Sequence, residues 1–227
     1  MATKGHAEIA GGGIAGLVAA AALAQRGWSV RVHERADHMR AYGAAIFAWY
    51  NLMRVLKAVG AYDEAVVGAS PFVVRGSRDA RNRVINTILA SPRPEDRIWD
   101  RFERIDLHRW SKGRAAVVGD AANAMSPNTG QGAGTAAMNA LSLAVLVSGA
   151  PSVEEGLRRW EAMERPLTKH TQMVAGLWGS LTTWPAMIRT PILKFGARSK
   201  WLMSHRQRAA HHVPTGAEAF APQTPDR

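Results

Sequence analysis

The 227-residue sequence has no cysteine, which removes disulfide scaffolds, thiol nucleophiles and thiolate metal sites together. Acids are scarce. Eighteen Asp and Glu stand against 29 Lys and Arg, a formal charge of +11, so an acidic partner has to be considered. Between Pro166 and Ala217 there is no acid at all. Residues 121–153 carry no charge of either sign, but Pro127, Gly130, Gly132 and Gly134 interrupt the run. Its apolar part falls short of the about 20 residues a bilayer span requires. Lys4 followed by an Ala-rich stretch to Gln25 imitates a secretory signal, yet Glu8 and Gly11-Gly12-Gly13 occupy the place of its apolar centre. A cytoplasmic chain without a transmembrane segment is expected. With 47% hydrophobic and 21% charged residues, it can bury a real core. Its length favours one domain with an appendage, at about 100–200 residues per domain.

Periodicity gives the organisation. Residues 6–10 read as a short strand, 14–26 as an Ala-rich helix stopped by Gly27, and 29–34 as a second strand with Val30 and Val32 on one side. This is the opening βαβ of a parallel sheet. Residues 51–59 and 62–67 read as short helices divided by Gly60. Residues 71–75 and 84–89 are candidate strands around a loop carrying Arg75, Arg78, Arg81 and Arg83, which reads as solvated in preference to binding an anionic substrate or a nicotinamide phosphate. Residues 114–118 form an apolar strand. Residues 132–147 form a helix apolar on nearly every side, which other elements must cover. From Val153 onward the pattern is helical, interrupted at Pro166, Pro185 and Pro191, and it fades into a tail after Val213.

Two constellations carry chemistry. Gly11, Gly13 and Gly16 fit GxGxxG between a strand and a helix: the first permits the tight turn, the second lets the backbone approach a pyrophosphate, and the third allows close helix–strand packing. The helix N-terminus then offers free N–H groups to the phosphates. Glu34 closes the second strand at the spacing of a ribose-binding carboxylate, with Arg35 beside it. This half indicates a dinucleotide without distinguishing NAD from FAD. The second constellation is Gly119-Asp120-Ala121-Ala122-Asn123 at the end of a buried strand, followed by Pro127-Asn128-Thr129-Gly130-Gln131-Gly132-Ala133-Gly134 leading into the apolar helix. An acid there suits polyol hydroxyls, and the helix N-terminus suits a delocalised anion.

The sequence resembles the class A FAD-dependent aromatic-ring monooxygenases of the salicylate and p-hydroxybenzoate hydroxylase type. The resemblance rests on the glycine fingerprint with Glu34, on Arg40-Ala41-Tyr42-Gly43-Ala44-Ala45-Ile46, and above all on GDAAN paired with PNTGQGAG. Trp160-Glu161-Ala162-Met163-Glu164-Arg165-Pro166 also resembles the family's "WE…RP" helix. The fold it implies is α/β, a Rossmann-type FAD-binding fold over residues 1–150 with a C-terminal helical segment and tail over 151–227. By the resemblance, Gly11, Gly13 and Gly16 line the FAD pyrophosphate, Glu34 and Arg35 lie at the adenosine ribose, and Arg40 reaches toward the FAD chain. Gly119 and Asp120 meet the ribityl hydroxyls, and Pro127, Gly130, Gln131 and Gly132 border the flavin. In such enzymes NAD(P)H is a transient reductant, O₂ forms a flavin hydroperoxide, and a small aromatic substrate takes one oxygen. The resemblance names no catalytic side chain here and implies no metal.

The chain also departs from that family. No Asp-Gly dipeptide occurs anywhere in it, and near residues 75–87 it passes almost directly from the early helices to the segment before GD. The substrate-domain sheet is therefore expected to be largely missing. Asn123 stands where the family usually has His, and Asn cannot titrate near neutral pH. An inactive FAD-binding relic is the alternative to a working hydroxylase. The basic end, with Trp178, Trp184 and Trp201, has two readings. One is a helical layer whose tryptophans pack on the FAD domain. The other is attachment to a membrane surface or nucleic acid, although no nucleic-acid motif occurs. His205, His211 and His212 lack a nearby carboxylate and do not read as a metal site.

Overall fold

The computed structural model describes residues 3–37, 46–67, 69, 104–181 and 183–222. The expectations at Arg40, at residues 41–45, at the strands 71–75 and 84–89 and at the four-arginine loop lie outside them. Strands β1 (His6–Ala10) and β2 (Ser29–His33) run parallel, with His6 opposite Ser29 and Ala10 opposite His33. They are joined by α1 (Ile14–Ala24). Alternation along both strands sends Ala7, Ile9 and Val30 onto the core, as the period of two requires. Gly27, at φ +83°, turns the chain from α1 into β2.

The other face of this pair is solvent-exposed and polar. Glu8 accepts from His6 Nε2 at 2.8 Å and His33 Nε2 at 2.5 Å. The hydrogen bonds from His6 and then His33 hold its carboxyl at about 2. Parallel sheets are normally covered on both faces, and here the charged cluster keeps the open face wet. Among the described residues, the only other strand pairing is a two-residue hairpin, β3 (Ser111–Lys112) with β4 (Ala115–Ala116), antiparallel about Gly113 at φ +56°. The expected strand over 114–118 is thus shortened and pairs back on its own neighbours, because Val117 N–H donates to Trp110 O at 2.8 Å.

Helix α2 (Tyr50–Val59) ends at Gly60 in the left-handed region and is followed by α3 (Tyr62–Ala65). Arg54 on α2 is 9% exposed. Its guanidinium donates to the carbonyls of His211, His212 and Phe220 at 3.0, 3.1 and 3.3 Å. One cation therefore ties the C-terminal tail to the amino-terminal half. Arg54→Ala leaves those carbonyls to water and is expected to cost about 2 kcal/mol, with the tail cleaved first in limited proteolysis.

After α4 (Asp120–Asn123) comes α5 (Gly132–Gly149), the core of the molecule. Ala136, Ala137, Met138, Ala140, Leu141 and Ala144 are buried. Its small side chains admit α1 on one side and α6 (Val153–Leu181) on another. Among the described residues α5 alone is long and apolar enough to cross a membrane, and 61% of its span is buried inside the fold, which accounts for an apolar surface all round.

Helix α6 corrects one expectation: it runs unbroken through Pro166. Pro166 and Ala162 both lie on its exposed side, so the carbonyl that loses its partner can take water instead. The cost of an interior proline, about 3 kcal/mol, is offset by the buried face of Leu157, Trp160, Thr168, Thr171 and Ala175. Pro185 does punctuate the chain, as the N-cap of α7 (Ala186–Arg198), whereas Pro191 lies inside α7. Helices α8 (Lys200–Arg206) and α9 (Arg208–His211) follow.

The buried α5–α6 seam is polar. Asn139 Nδ2 meets Thr168 Oγ1 at 3.1 Å, and Glu164 is 1% exposed with Oε1 unpartnered. Desolvation pushes the Glu164 carboxyl above its ordinary 4.5, and the Ser142 hydroxyl offsets this in part. As pH rises past 4.5 the unfolded chain releases this proton while the folded chain still holds it. Stability therefore falls until pH exceeds the raised folded value. Glu164→Gln removes that loss: its melting temperature is expected above the wild type at neutral pH and level with it at about pH 4, read by thermal denaturation at both.

Candidate cofactor site

The site begins where β1 runs into α1. Gly11, at φ +105°, donates its N–H to His33 O at 2.7 Å and so locks the turn to the end of β2. Gly13 is the N-cap of α1 in an extended conformation, leaving the first-turn amides of the helix without intrahelical partners. A Cβ at Gly11 or Gly13 would meet nothing within 4 Å, whereas one at Gly16 would fall 2.0 Å from the Gly11 carbonyl oxygen. The first two glycines thus border open space, and the third is where helix and loop touch.

Glu34 turns back onto this loop. Its Oε2 accepts from Gly12 N–H at 2.7 Å and its Oε1 from Ala36 N–H at 3.0 Å. The Ala36 bond first, and then the Gly12 bond, hold its carboxyl below the ordinary range. Arg35 is exposed beside it. The carboxylate therefore stands at the glycine turn itself, on a backbone amide of the loop.

The second constellation reaches the same place from a hundred residues away. Gly119 takes φ +65°, and a Cβ on it would lie 3.0 Å from the Ala15 Cβ of α1. Asp120 follows, exposed, in the first turn of α4. Residues Pro127–Thr129 form a 3-10 turn ended by Gly130 at φ +61°. Beyond it Gln131 caps α5 and Gly132 starts it.

Gln131 is 1% exposed; its amide donates to Arg206 O at 2.9 Å while Oε1 stays unpartnered. Its side chain ties the loop to α8 instead of lying on the surface. Two neighbours carry no sequence signal. Phe47 packs on the loop, its ring 3.0 Å from a Cβ built on Gly130, and Asn51 is buried 2.6 Å from one built on Gly134. Thr129 Oγ1, Thr135 Oγ1 and Asn51 Nδ2 are buried without partners.

These observations fit a dinucleotide with a polyol link. An open glycine cradle meets unsatisfied amides, an exposed carboxylate stands across from α1, and orphaned polar atoms surround the second loop. The "WE…RP" helix proves architectural. Trp160 is fully buried, tilted against Trp110 at 5.6 Å between ring centroids, and donates to Asn139 O at 2.8 Å. Glu161 accepts from Trp110 N–H, Ser111 N–H and Ser111 Oγ at 2.9, 3.0 and 2.7 Å. Arg165 bridges Glu161 and Leu107 O. Burial raises the Glu161 carboxyl, but the bonds from Trp110 and Ser111 outweigh it and the net shift is downward.

Two hollows lie outside the cradle. A groove of about 710 Å³ between the hairpin and α6 is lined by Arg109, Lys112, Arg158, Glu161 and Lys169 and shares no residue with the two glycine loops of the cradle. A smaller one of about 330 Å³ opens beside the 3-10 turn, between Arg104, Met125, Ser126, Asn128, Gln172 and Gly176.

Comparison with known proteins matches an NAD(P)-binding Rossmann-like domain over residues 9–52 and an FAD binding domain over residues 77–150. A 2-heptyl-3-hydroxy-4(1H)-quinolone synthase of Mycobacteroides abscessus is 25% identical over 360 aligned positions, spanning 87% of this chain and 96% of its own. Those positions outnumber the 227 residues here by more than a hundred, so the relative has a long stretch with no counterpart in this chain. A phenazine 1,6-dicarboxylic acid hydroxylase of Lysobacter antibioticus is 42% identical over 66 residues, 29% of this chain and 16% of its own. Among solved structures, 2-methyl-3-hydroxypyridine-5-carboxylic acid oxygenase superposes with a TM-score of 0.71 at 20% identity, covering 95% of this chain and 98% of the other. That likeness is one of fold.

Proposed function

We propose that the chain is one of the FAD-dependent aromatic-ring monooxygenases, that it holds FAD in the cradle described above, and that it takes electrons from NAD(P)H to oxygenate a small aromatic compound. The observation that carries this reading is the contact of Gly119 with Ala15, which brings the Asp120 loop and the glycine turn to one place. Residues 1–150 hold the cofactor in this reading, and 151–227 brace it from behind; the protein works in the cytoplasm.

Bound FAD would supply the redox chemistry, accepting hydride from the nicotinamide and activating O₂. The chain's own residues bind and orient it. The α1 amides beyond Gly13 would donate to the pyrophosphate, with Gly11 and Gly13 leaving room for it. Glu34, now on the Gly12 amide, would accept from ribose hydroxyls, with Arg35 beside it. Asp120 would accept from ribityl hydroxyls beside Gly119. The loop of Pro127, Gly130, Gln131 and Gly132 would border the flavin. In the hollow beside the turn, Arg104 would pair with an anionic substituent of the substrate. The names of the relatives, a quinolone synthase, a phenazine hydroxylase and a hydroxypyridine oxygenase, point to a nitrogen heteroaromatic ring.

A second reading has its own observation. The stretch missing relative to the quinolone synthase leaves less chain to exclude water from the reacting flavin, and water exclusion is what keeps the oxygen for the substrate. Under that reading the protein binds FAD and oxidises NAD(P)H wastefully. NAD(P)H consumption, product and hydrogen peroxide measured together decide between them. Oxidation stimulated by a quinolone or hydroxypyridine with stoichiometric product supports the monooxygenase. Peroxide equal to the NAD(P)H consumed supports the second reading.

A further inference from the structure

The C-terminal helices leave an uncovered face that cofactor binding does not use. Of the tryptophans read as packing on the FAD domain, Trp178 is half-buried, but beneath the Arg206 guanidinium of the same C-terminal segment at 4.5 Å. Trp184 and Trp201 are exposed. Helix α7 touches the body near Gly196, whose built Cβ would lie 3.8 Å from the Trp178 ring. Met187 is 90% exposed and Phe195 72%, with Ile188 and Ile192 exposed beside them.

At 3.6 residues per turn Met187, Ile188, Ile192 and Phe195 fall within one arc of about 140°. Arg189 borders that arc on one side, and Arg198 stands at its carboxyl end with Lys200 just beyond. No acid occurs from Pro166 to Ala217, while seven Lys and Arg do.

We propose that α7, with Trp184 and Trp201 at its two ends, is a docking surface for an anionic lipid bilayer, lying in the plane of the interface. The chemistry matches on both counts. Exposed Met, Ile and Phe need hydrocarbon, which neither water nor a phosphate backbone offers. Arginine and lysine at the rim meet lipid phosphates while their stems stay in apolar surroundings, and tryptophan favours the boundary between the two. At 13 residues the helix is too short to span a bilayer. A second copy of the chain would bring the same positive charge to the contact and be repelled, whereas an anionic surface gains from each cation. The inference stands apart from FAD binding, because none of its residues belongs to the cradle.

The test uses the purified full chain and flotation with vesicles of phosphatidylglycerol and phosphatidylcholine in equal parts, against phosphatidylcholine alone. The chain is expected to float with the anionic vesicles, to be released by high salt, and to show tryptophan quenching by brominated lipid. M187E/F195E should weaken partitioning on the order of tenfold or more, and Arg198→Glu by about fivefold, with melting temperature and flavin content unchanged. Equal binding to both vesicle types overturns the proposal. So does absence of quenching in the wild type. A concentration-dependent dimer in light scattering, lost in M187E/F195E and indifferent to lipid, would assign the face to self-association instead.

Discussion

Gly16→Ala is expected to lower the melting temperature by roughly 10 °C, the equivalent of about 3 kcal/mol in a chain of this size. The added Cβ would stand 2.0 Å from the Gly11 carbonyl oxygen and 3.4 Å from Ile9 Cγ2. The nearest atom is backbone, so no rotamer change relieves it, and α1 must move away from the end of β1. Gly13→Ala provides the contrast. Its Cβ meets nothing within 4 Å and its backbone is already extended, so the stability cost should stay below about 1 kcal/mol. FAD affinity should nonetheless fall on the order of a hundredfold, because the methyl fills the space the pyrophosphate needs. Thermal denaturation separates the two variants without cofactor, and flavin titration separates them with it. If Gly16→Ala melts like the wild type, helix and loop are not in the contact described here.

Trp160→Ala should cost about 3–5 kcal/mol, the range for removing a large aromatic from a packed interior. Trp160 is fully buried, touches Trp110, and donates its indole N–H to the Asn139 carbonyl. Through it α6 is joined both to α5 and to the hairpin that leads into Gly119. A domain with about 5–15 kcal/mol in total has little left after such a loss. The variant is expected to be largely unfolded at 37 °C or to melt more than about 10 °C early, by circular dichroism. Trp160→Phe keeps most of the buried area and should recover most of that loss. Activity effects of either variant would follow from the fold, since none of the "WE…RP" side chains reaches the cradle.

What the sequence makes legible here is local. The βαβ opening follows from alternation in His6–Ala10 and Ser29–His33, three glycines and an Ala-rich helix, all decided within a few residues of one another. The apolar run after Gly132 is likewise a helix whatever surrounds it. Pro166 shows the limit. Its local penalty says break, but the buried face of α6 against α5 is worth more, and that face exists only in the folded chain. Arg54 is silent in sequence because its three carbonyl partners lie more than 150 residues away. Gln131 reads as a flavin contact from its motif, yet its side chain is taken inward by Arg206 O and the residue is 1% exposed. The apolar residues 114–118 form a hairpin because Trp110 supplies the carbonyl that Val117 needs, a pairing that alternation cannot disclose.

The parts of the proposed cofactor cradle sit on the elements that form the core. Gly16 and Ala15 lie on α1, the GD segment abuts them, and the second loop is the entrance to α5. None of these depends on the stretch present in the longer relative and lacking here. Coupling of oxygen to product depends on enclosure, so under the proposed function FAD binding and hydroxylation are separable.

Flavin content of the purified protein tests that account most directly, read as absorbance retained after desalting together with the melting temperature with and without added FAD. A ligand that binds the native state must raise its stability by mass action. The prediction is one FAD per chain, a higher melting temperature, and loss of both in Asp120→Ala, whose exposed carboxylate costs the apoprotein little to remove. A colourless protein whose melting temperature ignores FAD would contradict it, and would mean that the glycine turn and the Asp120 loop do not form one site.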